Sequence, residues 1–278
     1  MKGVLYIVST PIGNLEDITL RALRILKEVD LVAAEDTRRS LKLLNHYGIS
    51  KPMISYWKAR EKIRAEEIIR KLRTGQSVAL ISDAGTPGIA DPGSVLIKRA
   101  IEEHIHIVPV PGPSAFVAAL SAAGLPSEEF TFLGFLPSGG TQRRKILGDL
   151  LLEQRTLIFY EAPHRVHDTL ADMKTIFGER RSAVSKEITK IHEEIMRGSI
   201  SEILDEMKEK ETAGEYVIVV EGRTERNKPS TDDVLSEIRV LMKKGLGRKD
   251  AVKKVAEEYC MSKKELYDQS LDSLDEIS

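Results

Sequence analysis

Short apolar runs alternate with amphipathic stretches along the first 124 residues. The runs at 4–9, 30–34, 53–56, 77–82 and 106–110 have the length of strands, and their near-continuous Val, Ile, Leu and Ala content fits strands covered on both faces. Between them, 17–28, 37–47, 60–74, 93–103 and 114–123 read as helices. This alternation predicts an α/β domain with a mostly parallel sheet. Asp17 is the expected N-cap of a helix from Ile18 to Val29, and Ser114 that of an Ala-rich helix from Ala115 to Ala123, ended by Gly124.

The segment Gly124-Leu125-Pro126-Ser127 breaks the pattern and a second set of elements begins. Strands are expected at 131–135, 155–160, 182–187, 193–200 and 215–221, with helices at 141–153, 164–177 and 201–210. From Arg223 only helices are expected: one opening at Ser230-Thr231-Asp232-Asp233 and running to about Lys244, one from Arg248 to Tyr259, and one opened by the capping box Ser262-Lys263-Lys264-Glu265. The chain therefore divides into an α/β domain over 1–124, a second over 125–224 and a small helical domain over 225–278 of helix-turn-helix character.

Three loops that follow strands carry more Gly and Pro than a connection needs. Asp83 to Gly93 packs three glycines, two prolines and two aspartates into eleven residues, whereas an ordinary strand-to-helix turn takes about two to six residues. Ser9-Thr10-Pro11-Ile12-Gly13-Asn14 and Pro109-Val110-Pro111-Gly112-Pro113-Ser114 are similar. Rigid loops at the carboxyl ends of parallel strands frame a ligand crevice.

Composition narrows the function classes. The 278 residues carry a net charge of −1, 41% hydrophobic and 31% charged residues, which fits a soluble globular protein. Such a charge gives no support to non-specific coating of nucleic acid, so any RNA contact must use local patches. No run approaches the roughly 18 apolar residues of a membrane span. The first residues enter a strand directly, so no signal peptide is expected. A single cysteine, Cys260, excludes an internal disulfide and a zinc ribbon and suits a reducing cytoplasm. There is no G-x-G-x-x-G after the first strand and no Walker A sequence. His164 and His167 lack the carboxylate cluster of a metal site, and no metal is expected.

Three polar clusters sit where strands end or helices begin: Glu35-Asp36-Thr37-Arg38-Arg39, Tyr160-Glu161-Ala162-Pro163-His164-Arg165, and Gln142-Arg143-Arg144-Lys145. Arginines beside carboxylates in a cleft suit an anionic substrate such as RNA. The tail adds Lys243, Lys244, Arg248, Lys249, Lys253 and Lys254, with Asp250 the single opposing charge in that patch. A solvated helix face and a nucleic-acid contact both account for it.

The segments LYIVSTPIGNLEDITLRAL, AAEDTRRS, ISDAGTPGIADPG, VPVPGPSAFVAAL, FLGFLPSGG and IFYEAPHRV, in that order and spacing, resemble the ribosomal RNA small-subunit methyltransferase I family of the tetrapyrrole-methylase superfamily. The resemblance covers nearly the whole chain. It implies two α/β domains with S-adenosylmethionine in the cleft between them, a homodimer, and methylation of the ribose 2′-oxygen of a cytidine in the decoding region of small-subunit ribosomal RNA. By the same resemblance, Pro11, Asp83, Ala84, Gly85, Thr86, Ile89, Ala90, Ser114, Ala115 and Tyr160 are the expected cofactor contacts. This chain has Ala84-Gly85-Thr86-Pro87 where corrin methylases carry Gly-Asp-Pro.

A ribose hydroxyl is a poor nucleophile, so a base or an alkoxide-stabilising cation assists the transfer. Asp36 and Glu161 are the candidate bases, Arg38 and Lys186 the candidate cations. Arg39, Arg143, Arg144, Lys145, His164, Arg165, Lys244, Arg248, Lys249 and Lys253 are the expected RNA contacts, with free ribosomal RNA or the small subunit as partner. Two rivals remain: a corrin-type small-molecule methylase, and a non-catalytic RNA-binding assembly factor on the same fold.

Overall fold

The computed structural model describes residues 2–208, 210, 212–224, 231–243, 245–259 and 261–274. They form two compact units, residues 1–222 and 223–278.

The first unit holds two five-stranded sheets. One consists of β1 (Val4–Val8), β2 (Leu31–Ala34), β3 (Met53–Ser55), β4 (Val78–Ile81) and β5 (His106–Val110), in the order β3-β2-β4-β1-β5 with every pair parallel. All four residues of β2 and all four of β4 are buried, as continuous apolar strands in a covered sheet must be. Helices α1 (Leu20–Glu28), α2 (Thr37–His46), α3 (Glu61–Arg73) and α4 (Ser94–Glu102) connect them. Leu5, Leu80, Ile68 and Leu96 pack in one apolar layer, and Val8, Leu26, Val32 and Ile81 in the opposite one.

The helix expected from Ile18 is shorter. Asn14 accepts the Glu16 backbone N–H and caps a single 3₁₀ turn, Leu15–Asp17, and Thr19 rather than Asp17 caps α1 by accepting from Ala22. Two short cappers in succession break the segment into a turn and a helix.

The second sheet contains β6 (Phe130–Phe135), β7 (Thr156–Glu161), β8 (Arg181–Lys186), β9 (Glu194–Ser199) and β10 (Tyr216–Val220), ordered β6-β7-β10-β8-β9. Only β6 and β7 run parallel; the other pairs are antiparallel. Helices α6 (Gly140–Asp149), α7 (Val166–Phe177) and α8 (Ile200–Met207) cover one face, with Phe159, Leu170, Ile203 and Ile218 in its core. Ser199, expected inside a strand, ends β9 and forms the capping box of α8 with Glu202.

Helix α5 (Ala115–Ala123) follows the first sheet in sequence but packs on the second. Ala119, Leu120 and Ala123 lie against Ile158, Ala183, Val217 and Val219. Its small residues let the helix come close to that face. The chain thus passes from one sheet to the other at Pro111-Gly112-Pro113, ahead of Gly124.

The second unit packs α9 (Thr231–Lys243), α10 (Arg248–Glu258) and α11 (Lys263–Leu274) around Val234, Ile238, Val252, Val255 and Leu266. Gly247 precedes α10, and Ser262 accepts the Glu265 N–H at 3.4 Å, as a cap on α11 requires.

Candidate active site

The three rigid loops converge at the carboxyl ends of β1, β4 and β5 and are fastened together. Thr10 and Gly85 exchange both backbone hydrogen bonds, at 2.9 and 3.0 Å. The Ser9 and Thr86 hydroxyls lie 2.8 Å apart, and the Thr10 hydroxyl donates to Ser82 O at 3.2 Å. Gly85 sits at φ +74°, where a side chain is strained, which lets the loop turn back toward β1.

These loops form one wall of a cavity of about 310 Å³. Ala84, Gly85, Thr86, Ile89, Ala90, Ser114 and Ala115 line it from the first half of the chain. Tyr160 and Phe135, from the second sheet, face them together with Ala162, Pro163 and the Gly214–Val217 segment. The Tyr160 hydroxyl accepts the Phe116 N–H at 3.3 Å, tying β7 to the start of α5, and burial raises its phenol pKa, so it stays protonated. The size, the small and apolar wall residues and the exposed loop backbone fit a nucleoside-sized cofactor such as S-adenosylmethionine.

Of the expected cofactor contacts, Pro11 and Asp83 lie in a neighbouring concavity instead. Asp83 joins two loops: its Oδ1 accepts the Asp36 N–H at 3.0 Å, and its Oδ2 is 3.2 Å from Arg39.

The two candidate bases are otherwise engaged. Asp36 caps α2, accepting Arg38 N at 2.9 Å and the Arg38 guanidinium at 2.7 and 3.1 Å. These bonds hold its carboxyl well below the usual range, which makes it a weak proton acceptor. Arg38 is thereby committed to Asp36. Glu161 lines the cavity but is 2% exposed; it accepts from Thr169 Oγ1 at 2.6 Å, Ala162 N at 2.8 Å and Arg165 Nη2 at 3.2 Å. Such a carboxylate fixes the turn after β7. Lys186 ends β8, opposite Tyr216.

The basic residues divide by burial. Arg143 is 6% exposed and paired with Asp172 at 2.7 Å, and Arg165 donates inward to Leu136 O at 2.7 Å, so both guanidinium groups are engaged by protein partners. Their long stems and fixed forks suit internal pairing as well as phosphate. Arg39, Arg144, Lys145, His164, Lys249 and Lys253 are exposed and Arg248 half-buried, while Lys244 lies outside the described residues.

Two further carboxyl groups have no distinguishing pattern in the sequence. Asp91 lines the cavity, and burial raises its carboxyl pKa, with Asp83 and Glu215 adding to the rise and the Ser82 side chain opposing it. Glu35, behind it, is raised in the same way, by burial and by Asp91. The Asp-Pro-Gly turn at 91–93 marks Asp91 only as a loop residue.

Residues 4–204 match the family model for tetrapyrrole (corrin/porphyrin) methylases. The chain is 44% identical to the ribosomal RNA small subunit methyltransferase I of Synechocystis sp. over 273 residues, 97% of this chain and 98% of that protein. It is equally identical to the protein of that name from Escherichia coli O157:H7, over 98% of this chain and 96% of the relative. The crystal structure of uroporphyrin-III-C-methyltransferase from Thermus thermophilus superposes with a TM-score of 0.57 at 21% identity, covering 79% of this chain and 94% of that one, a likeness of fold.

Proposed function

From a chain that belongs to the tetrapyrrole methylase family, and within it to the ribosomal RNA small subunit methyltransferase I group, we propose an S-adenosylmethionine-dependent enzyme that methylates the ribose 2′-oxygen of a cytidine in the decoding region of small-subunit ribosomal RNA. The observation that carries the reading is the single cavity in which the Ala84–Ala90 loop, Ser114, Ala115 and Tyr160 meet.

When bound, the cofactor supplies a sulfonium methyl group open to in-line displacement by oxygen. Ala84–Ala90 and Ser114–Ala115 hold it through backbone and small side chains, and Tyr160 closes the opposite side. Asp91, a half-buried carboxyl in that wall with a raised pKa, is better matched than Asp36 or Glu161 to take the hydroxyl proton. Glu161, through Arg165 and Thr169, positions the Tyr160–Pro163 turn. Arg39, Arg144, Lys145 and the exposed lysines of α10 contact phosphates. The enzyme acts in the cytoplasm as a homodimer, which sedimentation of the purified protein checks.

The test supplies radiolabelled cofactor with isolated small subunits, free ribosomal RNA or a corrin precursor. Label recovered as a 2′-O-methyl nucleoside upholds the reading. Label in the corrin alone makes the protein a small-molecule methylase, and cofactor binding without transfer to any of the three favours an assembly factor.

A further inference from the structure

A second concavity of about 330 Å³ opens beside the first and shares Ile12, Ala84 and Glu215 with it. Its chemistry differs. Arg39 and Lys42 reach it from α2, and Lys190 from the β8–β9 loop of the other sheet. Asp83 and Glu215 also line it. Arg39 meets Asp83 at 3.2 Å while its side chain is 71% exposed, so much of its five-donor fork faces outward. Lys190 meets Glu215 at 3.1 Å and Glu187 at 2.8 Å. Lys42 adds an exposed ammonium one turn from Arg39.

Ser40 is the independent sign of a ligand. It is 3% exposed, it lines this concavity, and its hydroxyl has no hydrogen-bond partner in the protein. Buried polar groups are nearly always satisfied, and the exceptions call for a reason. Ser40 shares this concavity with Arg39 and Lys42, and an anionic oxygen held by those cations would accept its proton.

The geometry points to this second concavity as the seat of one RNA phosphodiester next to the methylated nucleotide, with Arg39 and Lys42 on its oxygens, Ser40 donating to it and Lys190 closing over it from the second sheet. This assignment rests on the reading of the first cavity as the cofactor site. It puts the acceptor nucleotide where the two concavities meet, at Ile12 and Ala84.

The test uses the full chain and a fluorescently labelled single-stranded RNA of decoding-region sequence, titrated at several salt concentrations, with S-adenosylmethionine binding followed separately by calorimetry. Lys42→Ala is expected to weaken RNA binding about tenfold, the loss of one hydrogen bond to a charged group, and to reduce the log–log salt slope by about 0.7. Ser40→Ala is expected to weaken RNA binding several-fold with the slope unchanged and the melting temperature not lowered, because it removes an unpartnered hydroxyl. Lys42→Arg restores affinity and slope. All three variants bind cofactor as the parent does. RNA affinity and salt slope at parental values in both alanine variants overturn the proposal. A parent chain that binds the cofactor but not the RNA overturns it too and leaves the cofactor site standing, whereas failure to bind the cofactor removes the reading beneath it.

Discussion

Gly13 and Lys190 face each other so closely that a Cβ on Gly13 would lie 2.4 Å from Lys190 Cγ and 3.0 Å from Thr189 Oγ1. The first residue follows β1 and the second follows β8, so this contact joins the two sheets over the candidate active site. The loop on the second side is already under strain: Glu187 and Thr189 have φ values of 53° and 68°.

Replacing Gly13 with Ala should push that loop away. Overpacking of this kind costs about 1–3 kcal/mol. Ile188 lines the 310 Å³ cavity, so cofactor affinity should fall together with the melting temperature. Calorimetric titration and thermal unfolding of the variant measure both; parental values in each would show that Lys190 yields freely.

Asp91→Asn should separate stability from activity. Burial raises the folded-state pKa of Asp91 above its ordinary 3.8. The folded protein therefore holds a proton that the unfolded chain has released, and stability falls as pH rises through that window. At neutral pH the charged side chain is a liability that Asn removes. The variant should unfold at higher urea than the parent at pH 7, with the difference shrinking as pH drops below about 4, while methyl transfer is lost. Full transfer in a folded variant would remove Asp91 as proton acceptor.

The opposite sign applies to Glu153. It accepts the Arg155 backbone N–H at 3.0 Å and the guanidinium at 2.9 and 2.7 Å, and these bonds lower its pKa to about 2. Its contribution is present above the unfolded value of 4.5 and is lost as pH falls toward 2. Glu153→Gln should lower the urea midpoint at pH 7, with the gap to the parent narrowing steadily as pH falls from 4.5 to about 2. A constant gap between the two proteins across that range would contradict the assignment.

Arg143 and Lys145 should part company although they sit two residues apart. Arg143→Ala takes the 2.7 Å partner from the half-buried Asp172 and leaves it only Arg144 at 3.3 Å, at a cost of about 1–3 kcal/mol. Lys145→Ala should change stability by less than about 0.5 kcal/mol and flatten the salt dependence of RNA binding. Urea unfolding and RNA titration of the two variants give both readings.

The same pair shows what a sequence displays and what it hides. Periodicity placed the strands and most helices because each records its own burial. The loop at 83–93 advertised itself through Gly and Pro, whose backbone demands are local. Charge was less legible: Gln142-Arg143-Arg144-Lys145 reads as one basic cluster, and only a partner 29 residues away, Asp172, turns Arg143 inward. Arg165 was hidden similarly by the Leu136 carbonyl. Asp91, Glu215 and Ser40 carry no local signature, because their character depends on which loop of the other sheet lies across from them. Tandem cappers, Asn14 and Thr19, set the helix start beyond the position that Asp17 alone would give.

The seating of α5 on the second sheet means that the two halves cannot be exchanged as modules at residue 124. A fragment ending there would carry Ala119, Leu120 and Ala123 with nothing to cover them, and the remaining fragment would present Ile158, Val217 and Val219 bare. Any chimaera of this protein with a relative keeps a closed core only when its junction falls at Pro111-Gly112-Pro113, so that the helix is inherited with the sheet it covers.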